Sequence, residues 1–356
     1  MPAPAADLFS LSLEHATALL GSRLRAIAAR RWLYAARPTS RTLPERVPGI
    51  APRAWTALRD SVRLPEWRHV ARQVAADGTV KHALAFGDAT VESVFIPGQT
   101  RSTVCVSSQA GCSRHCSFCA TGALGFRRQL TAGEILVQYA VAAAEAPPER
   151  PARNVVFMGM GEPMDNLDAV MCAVDRLVEN PFPGLAEAHV TVSTSGVLPG
   201  LTRFLAEGRG QLALSLSATT DAQREALVPH ARQWPLEALL GALRRDPRAH
   251  PARRHLIAYV LWADVNDSDD DAHRLGRLLS GLPVRVNLIP HNAVFESPLR
   301  PPLPARIERF HGIVCGHGIR CIVRRARGAD IAAACGQLAL RVSGAQPSVD
   351  GPREVG

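Results

Sequence analysis

Hydrophobic positions change their spacing along the chain, and each spacing predicts a different kind of structure. From residue 8 to about 60, apolar side chains such as Leu13, Ala16 and Leu20 recur at helical intervals, with short Pro-rich breaks. From roughly 65 to 98, apolar residues fall at alternate positions, and Asp-Gly and Gly-Asp pairs supply turns. The first region is therefore predicted to be helical, and the second to form a small antiparallel β extension.

From about residue 101, short apolar runs alternate with longer amphipathic stretches. The predicted strands cover 103–107, 154–158, 190–193, 212–216, 256–261, 284–289 and 319–323. Helical patterns lie between them, for example at 132–144, 166–178, 269–279 and 304–314. Such alternation predicts parallel strands joined by helical crossovers. About seven units of this kind predict a (β/α) barrel, complete or partial, with site residues at the carboxyl ends of its strands.

The chain is therefore predicted to be an α/β protein with four parts. Residues 1–60 form a helical accessory domain, 61–100 the small β extension, and 101–340 the barrel core. Residues 341–356 are rich in Gly, Pro and Ser, and we expect a disordered tail there.

Composition excludes several classes of protein. Of 356 residues, 47% are hydrophobic and 21% charged, which is a globular composition and excludes disorder over most of the chain. No run approaches the ~18 uncharged apolar residues of a membrane-spanning helix. The start, Met1-Pro2-Ala3-Pro4, has neither a basic region nor an apolar signal core, so we expect a cytoplasmic protein.

The net charge of +9 suits an anionic partner, above all nucleic acid. Lys81 is the only lysine, however, and such a preference for arginine also follows from GC-rich coding. The predicted N-terminal helices are either a nucleic-acid-binding module or a solvated helical cap, and we expect residues 1–60 to be an RNA-binding accessory domain. Their basic residues are Arg23, Arg25, Arg30, Arg31 and Arg37.

The strongest chemical signal is the run Cys112-Ser-Arg-His-Cys116-Ser-Phe-Cys119, directly after the first predicted core strand. Three thiolates in one short loop suit a metal or cluster site. Zinc requires a fourth ligand from the protein, whereas an iron–sulfur cluster with three cysteines keeps one iron open for a ligand. His115 is a conceivable fourth ligand, but we expect it to face solvent or to support a ligand.

This C-x3-C-x2-C spacing, with an aromatic residue before the last cysteine, resembles the radical S-adenosylmethionine superfamily. The resemblance implies that Cys112, Cys116 and Cys119 ligate a 4Fe–4S cluster whose open iron binds S-adenosylmethionine through its amino and carboxylate groups. It further implies that reductive cleavage of this cofactor yields a 5′-deoxyadenosyl radical, with an electron donor such as flavodoxin or ferredoxin.

The wider context resembles the RlmN/Cfr family of ribosomal RNA adenine methyltransferases, in the family's order over nearly the whole chain. The matching segments are 104–112, 120–122, 125–127, 158–163, 193–196, 286–290, 323–328 and 334–338. This resemblance implies methylation of carbon 2 of an adenosine in 23S rRNA at the peptidyl transferase centre, and of an adenosine in some tRNAs. Carbon-8 methylation of the Cfr type is the first alternative, and a non-catalytic iron–sulfur or zinc RNA-binding protein is the second. We expect a monomer.

The resemblance also assigns contacts to the cofactor. The residues are Gly161, Glu162, Ser193, Ser215, Leu216, Ser217 and Asn292. Taken alone, Glu162 could accept from the methionine ammonium, although a plain strand-to-helix turn explains the same segment. The serines are also typical of satisfied turns. Ser217 stands where the family usually has histidine, and His291 where it has tryptophan, which puts cofactor affinity and RNA substrate in question.

Three catalytic residues follow from the resemblance. Cys335 is the implied methyl carrier, whose sulfur-bound methyl group loses a hydrogen and adds to the adenine. Cys105 is the implied resolving cysteine, which attacks the Cys335 sulfur and leaves a disulfide. Glu92 matches a carboxylate proposed as proton acceptor. A small buried cysteine and a surface glutamate are the alternatives for Cys105 and Glu92.

Overall fold

The protein is described here by a computed structural model that covers residues 6–35, 43–246, 255–292 and 298–340. The predicted tail 341–356 and Arg37 lie outside the described residues.

Three helices form the N-terminal part, as their apolar spacing predicted. They are α1 (Leu13–Leu20), α2 (Arg23–Ala35) and α3 (Pro52–Ser61), and a short parallel pair, β1 (Ala6–Asp7) and β2 (Val62–Arg63), lies beside them. The hydroxyl of Ser12 accepts from the backbone of His15 at the start of α1, and Gly21 ends α1 in the left-handed conformation at φ 64°. Leu20, Trp55 and Leu58 are fully buried where these helices pack.

Twelve further strands follow. They are β3 (Arg68–Val74), β4 (Val80–Phe86), β5 (Ala89–Ile96), β6 (Ser102–Cys105), β7 (Gln109–Gly111), β8 (Phe126–Gln129), β9 (Ala152–Phe157), β10 (Val190–Thr194), β11 (Gln211–Ser215), β12 (His255–Leu261), β13 (Val284–Pro290) and β14 (Cys321–Val323). Ten of them form one sheet in the order β14-β13-β12-β11-β10-β9-β6-β5-β4-β3, and β7 pairs with β8 separately.

The helices of the core lie between these strands. They are α4 (Ala120–Ala123), α5 (Ala132–Ala143), α6 (Leu167–Val178), α7 (Leu198–Glu207), α8 (Asp221–Leu227), α9 (Leu236–Arg244), α10 (Asp269–Leu279) and α11 (Pro304–Gly316). Reciprocal capping fixes two of the starts: Thr131 with Glu134 before α5, and Ser268 with Asp271 before α10.

The predicted fold class is confirmed. Strands β6 and β9–β14 are parallel neighbours, and all seven predicted core strands are present. Strands β3 to β5 are antiparallel and continue the same sheet through the pairing of β5 with β6. The ten-stranded sheet is open, with β3 and β14 at its two edges, and its parallel strands form a partial barrel. Within the described parts of the chain, no helix is long and apolar enough to cross a membrane.

The N-terminal helices are fixed to the core by an ionic contact. The Glu179 carboxylate, just after α6, accepts from the backbone N of Leu13 at 3.1 Å and pairs with the buried guanidinium of Arg30. Arg30 also donates to the carbonyl of Arg176. Arg30 is therefore an internal anchor and is not placed to meet a phosphate, whereas Arg31 is exposed beside Phe182.

Candidate active site

A cavity lies at the carboxyl ends of the central parallel strands, where a partial barrel places its site. It encloses about 1110 Å³ including its open mouth, which is enough for a drug-sized ligand. Its walls include the last or next-to-last residues of successive strands: Phe157, Ser193, Ser215, Val260 and Ile289.

The three cysteines of the predicted cluster loop all line this cavity. The backbone N of Cys112 donates to the Gly125 carbonyl at 2.9 Å, and that of Cys119 to the Cys116 carbonyl at 3.1 Å, so the loop is tightly folded. Burial raises the pKa of Cys112 to about 12 and also raises that of Cys116. As apo thiols these groups are therefore protonated, and binding a metal centre would deprotonate them.

The donor set fits an iron–sulfur cluster better than zinc. The Nδ1 atom of His115 lies 3.2 Å from the Gly122 carbonyl, so this ring nitrogen is already engaged by backbone. Within the described residues, no three His, Cys, Asp or Glu side chains are close enough to hold a single metal ion. A cluster spreads its thiolates over separate iron atoms, and three thiols around an open cavity meet that need.

Glu162 lies beside the cysteines on the next loop of the cavity. It follows Gly161, which has φ 98° and where an added Cβ would lie 2.5 Å from the Cβ of Gln109. The carboxylate accepts from the backbone N and Oγ of Ser195 at 2.8 and 2.7 Å, and from the backbone N of Met164 at 3.1 Å. Burial raises the pKa of Glu162, although these hydrogen bonds oppose the shift.

Sequence reasoning missed Ser195 as the partner of Glu162. It lies in the Ser-Thr-Ser-Gly segment at the end of β10, from which only Ser193 stood out. The Oγ of Ser195 also lies 3.1 Å from Nε2 of His230, and its carbonyl accepts from the buried guanidinium of Arg224. Ser195 thus joins the carboxylate to a polar network behind the cavity wall.

The three serines that were predicted to contact the cofactor line the cavity, whereas Leu216 does not. The Oγ atoms of Ser193 and Ser215 lie 3.5 Å apart at the ends of adjacent strands, and both side chains line the cavity. Ser217 is buried at φ 63°, and its Oγ has no hydrogen-bond partner among the described residues. Leu216 is fully buried and is not among the residues that line the cavity.

His291 faces the same cavity as Ser217. It is 7% exposed, its ring lies 6.0 Å from that of Trp262, and its Nε2 has no hydrogen-bond partner in the part of the chain that the structure describes. Ser217 and His291, which depart from the family pattern, thus each place in the same cavity a polar atom that has no hydrogen-bond partner among the described residues. This arrangement suits a ligand that both donates and accepts hydrogen bonds.

Cys105 and Cys335 line a second cavity, which encloses about 660 Å³ including open solvent. Cys335 lines the first cavity as well, and the amide of Asn292 donates to the Cys335 carbonyl at 3.2 Å. Burial raises the pKa of Cys105 to about 12, and the neighbouring Cys335 adds to the shift. Both thiols are unbridged, as are the other six. Arginines border this second cavity: Arg324, Arg325 and Arg327.

Glu92 is not among the residues that line these two cavities. Its carboxylate is 1% exposed; Oε1 lies 3.1 Å from Nζ of Lys81, and Oε2 accepts from the backbone N of Leu340 at 3.1 Å. Sequence reasoning missed Lys81, although its being the only lysine in an arginine-rich chain was a usable signal.

Comparison with known proteins agrees with this geometry. Residues 106–275 match the model of the Radical SAM superfamily. A solved radical SAM methyltransferase from Sphaerobacter thermophilus is 38% identical and superposes with a TM-score of 0.83, over 94% of this chain and 99% of that one. The fold and the three-cysteine cavity therefore define a radical S-adenosylmethionine methyltransferase, whose cofactors are a 4Fe–4S cluster and S-adenosylmethionine, as predicted.

Full-length relatives narrow the class. The dual-specificity RNA methyltransferase RlmN of Anaeromyxobacter sp. (strain Fw109-5) is 42% identical, over 99% of this chain and 95% of its own length. The RlmN protein of Paracoccus denitrificans is 45% identical over 80% of this chain and 75% of its own. The chain belongs to the RlmN family.

Proposed function

We propose that this protein methylates carbon 2 of an adenosine in 23S rRNA, and of one in transfer RNA, with Cys335 as the methyl carrier. The name shared by its relatives, dual-specificity RNA methyltransferase, supports an RNA substrate. The observation that carries the proposal is the position of Cys335, which lines both the cavity of the three cysteines and the cavity of Cys105. Cys335 can thus react with the cofactor from the first cavity and with the Cys105 thiol from the second.

The first cavity binds the cofactors in this proposal. Cys112, Cys116 and Cys119 hold the cluster. Glu162, positioned by Ser195, accepts from the ammonium group of the cofactor, and the paired hydroxyls of Ser193 and Ser215 hydrogen-bond its polar atoms. Gly161, Ser217 and Asn292 complete the wall. Leu216 supports it, because its backbone N donates to the Ala258 carbonyl and its carbonyl accepts from the backbone N of Ala218. When bound, the cluster and S-adenosylmethionine supply a methyl group and, after one-electron reduction, a radical that abstracts hydrogen.

The two thiols divide the remaining chemistry. The Cys335 sulfur first accepts a methyl group. The carbon of that group loses a hydrogen atom and adds to the adenine carbon, and the adduct would then give up its unpaired electron to the oxidised cluster and the proton of the adenine carbon to Glu92. Cys105 then attacks the Cys335 sulfur. The sulfur–carbon bond breaks, its electron pair stays on the carbon, and a proton completes the new methyl group. The thiols end as a Cys105–Cys335 disulfide, which an external thiol must reduce before the next cycle.

The other predicted partners belong to the same proposal. Glu92 accepts a proton from the adenine carbon; the reaction would have to bring the two together, since Glu92 lines neither of these two cavities. A flavodoxin or ferredoxin supplies the electron, and the protein acts as a cytoplasmic monomer.

Two substitutions test the division of labour. Cys335→Ala lacks the carrier and should form neither methylated RNA nor a covalent adduct. Cys105→Ala should load Cys335 and add to the base but fail to release it, so protein covalently bound to RNA should accumulate. The matched control is Cys315→Ala, which removes an exposed thiol that lines neither of these two cavities and should behave as wild type.

The readout is denaturing electrophoresis with nuclease digestion, followed by mass spectrometry of the Cys335 peptide. Normal turnover by Cys105→Ala, or no nucleotide linked to Cys335 through one carbon, would exclude the two-thiol route. Mapping the methylated carbon in RNA from cells that express the protein decides between carbon 2 and carbon 8.

A further inference from the structure

The segment that carries Cys335 is held on the side of the cluster loop. The backbone N of Ala120 donates to the Gly336 carbonyl at 2.8 Å, and the hydroxyl of Thr121 donates to the Leu338 carbonyl at 2.7 Å. Both donors belong to α4, the helix that Cys119 begins. These contacts follow Cys335 in the chain and tie it to the cluster loop.

The opposite side of the segment is held by the β extension. Nζ of Lys81, on β4, donates to the Ala332 carbonyl at 3.3 Å, three residues before Cys335. The Glu92 carboxylate, on β5, accepts from the backbone N of Leu340, five residues after it. Lys81 and Glu92 pair with each other at 3.1 Å and are 3% and 1% exposed. One buried ion pair therefore holds the segment at two points that flank Cys335.

Both of these points have unusual backbone. Ala332 has φ 51° and Leu340 has φ 57°, in the left-handed region that residues with a side chain seldom adopt. Such a conformation persists only where neighbouring contacts impose it. The two contacts of the ion pair fall on these same two residues, which gives the pair a specific task in shaping the segment.

We propose that Lys81, through its ion pair with Glu92, is a positioning residue that clamps residues 332–340 so that the Cys335 sulfur faces the cofactor cavity. The clamp itself stands on the contacts above, and its purpose rests on the proposed function of Cys335. A lysine suits this position because one compact ammonium with three rotatable donors reaches both a carboxylate and a carbonyl, whereas the planar fork of arginine has fixed directions.

Three variants test the clamp in the full-length protein. Lys81→Met removes the ammonium, and Lys81→Met/Glu92→Leu removes both charges, so the fold survives even if a lone buried carboxylate would not be tolerated. The control is Arg72→Met, which breaks an ion pair between the neighbouring strand β3 and Glu145. Arg72 donates to both carboxylate oxygens of Glu145, and these two hydrogen bonds do not involve residues 332–340.

The first measurement is hydrogen–deuterium exchange of peptides within 328–340. We expect exchange at least about tenfold faster in the double variant, with peptides of α6 and α10 unchanged. The second is methylation of Cys335 by S-adenosylmethionine without RNA, followed by the mass of the Cys335 peptide. It should slow by a similar factor, while cluster iron content stays at the wild-type level. Arg72→Met should leave both measurements unchanged.

The outcomes separate the two proposals. Native exchange in the double variant overturns the clamp, and fast exchange with wild-type methylation of Cys335 overturns its positioning role. A wild-type protein that never methylates Cys335 refutes the proposed function instead, while the exchange experiment still decides whether the clamp exists.

Discussion

The most informative prediction concerns the reactivity of Cys105 as a function of pH. Burial first, and then the neighbouring Cys335, raise the pKa of this thiol from 9.0 to about 12. At pH 7 the thiolate fraction is therefore about 10⁻⁵, against about 10⁻² for an unperturbed thiol. The more basic thiolate is also the better nucleophile: with a Brønsted coefficient of about 0.4–0.5, its intrinsic rate constant is higher by a factor of roughly 15–30. Exchange with a small disulfide should thus be about 30–60 times slower than for an unperturbed thiol.

The sign of the pH dependence follows from the raised pKa. The reactive thiolate forms only as pH rises toward 12, so the exchange rate should increase about tenfold for each pH unit between 7 and 9.5 and show no plateau there. An unperturbed thiol would already level off near pH 9. The assay is reaction of the apo protein with a small aromatic disulfide, followed by mass spectrometry of the Cys105 peptide.

Two controls make the measurement specific. A free small thiol in the same buffer reports the intrinsic pH dependence of the reagent. Cys335→Ala should shift the Cys105 profile to lower pH because it removes a neighbour that raises the pKa of Cys105. A plateau below pH 9 would refute the reasoning. It would mean that a cation, such as the nearby Arg324, stabilises the thiolate more strongly than burial opposes it.

Three further predictions follow from the site and its rim. Single replacement by Ala should abolish most iron binding after anaerobic reconstitution for each of Cys112, Cys116 and Cys119, while Cys321→Ala keeps it; near-wild-type iron in any of the three would contradict the cluster assignment. Replacing Arg324 and Arg325 by Gln should reduce the slope of log affinity for RNA against log salt by roughly 1.5–2. An unaltered slope in this Arg324/Arg325 variant would place the RNA surface elsewhere. Arg30→Gln should instead lower thermal stability and leave the slope unchanged. Ser217→Ala should weaken binding of S-adenosylhomocysteine to the reconstituted protein about fivefold, because the ligand loses its hydrogen bond to the Ser217 hydroxyl. Calorimetry measures this affinity. Equal or tighter binding would show that this hydroxyl stays unsatisfied.

Local sequence determined most of the architecture. Each core strand is a short apolar run with a helical pattern after it, and that alternation is legible without any distant contact, so the seven parallel strands and the position of the cluster loop at a strand end were predictable. The cluster loop was equally legible, because Cys112, Cys116 and Cys119 lie within eight residues and their spacing is itself the chemistry. The antiparallel strands were predicted too, but not that they extend the core sheet, because pairing of edges is a long-range choice.

Tertiary structure alone decided which polar groups meet. Arg30 belonged to a basic helix and was grouped with residues expected to meet RNA, but Glu179, far along the chain, draws it inside. Glu92 looked like a surface or catalytic carboxylate until the fold placed it against Lys81 and the backbone of Leu340, 248 residues away. The spacing of apolar residues along the sequence shows which face of a helix or strand is apolar. It carries no information on which distant charged residue will be buried against that face. Those pairings arise only when elements distant in the sequence pack together and each desolvated charge must find a partner.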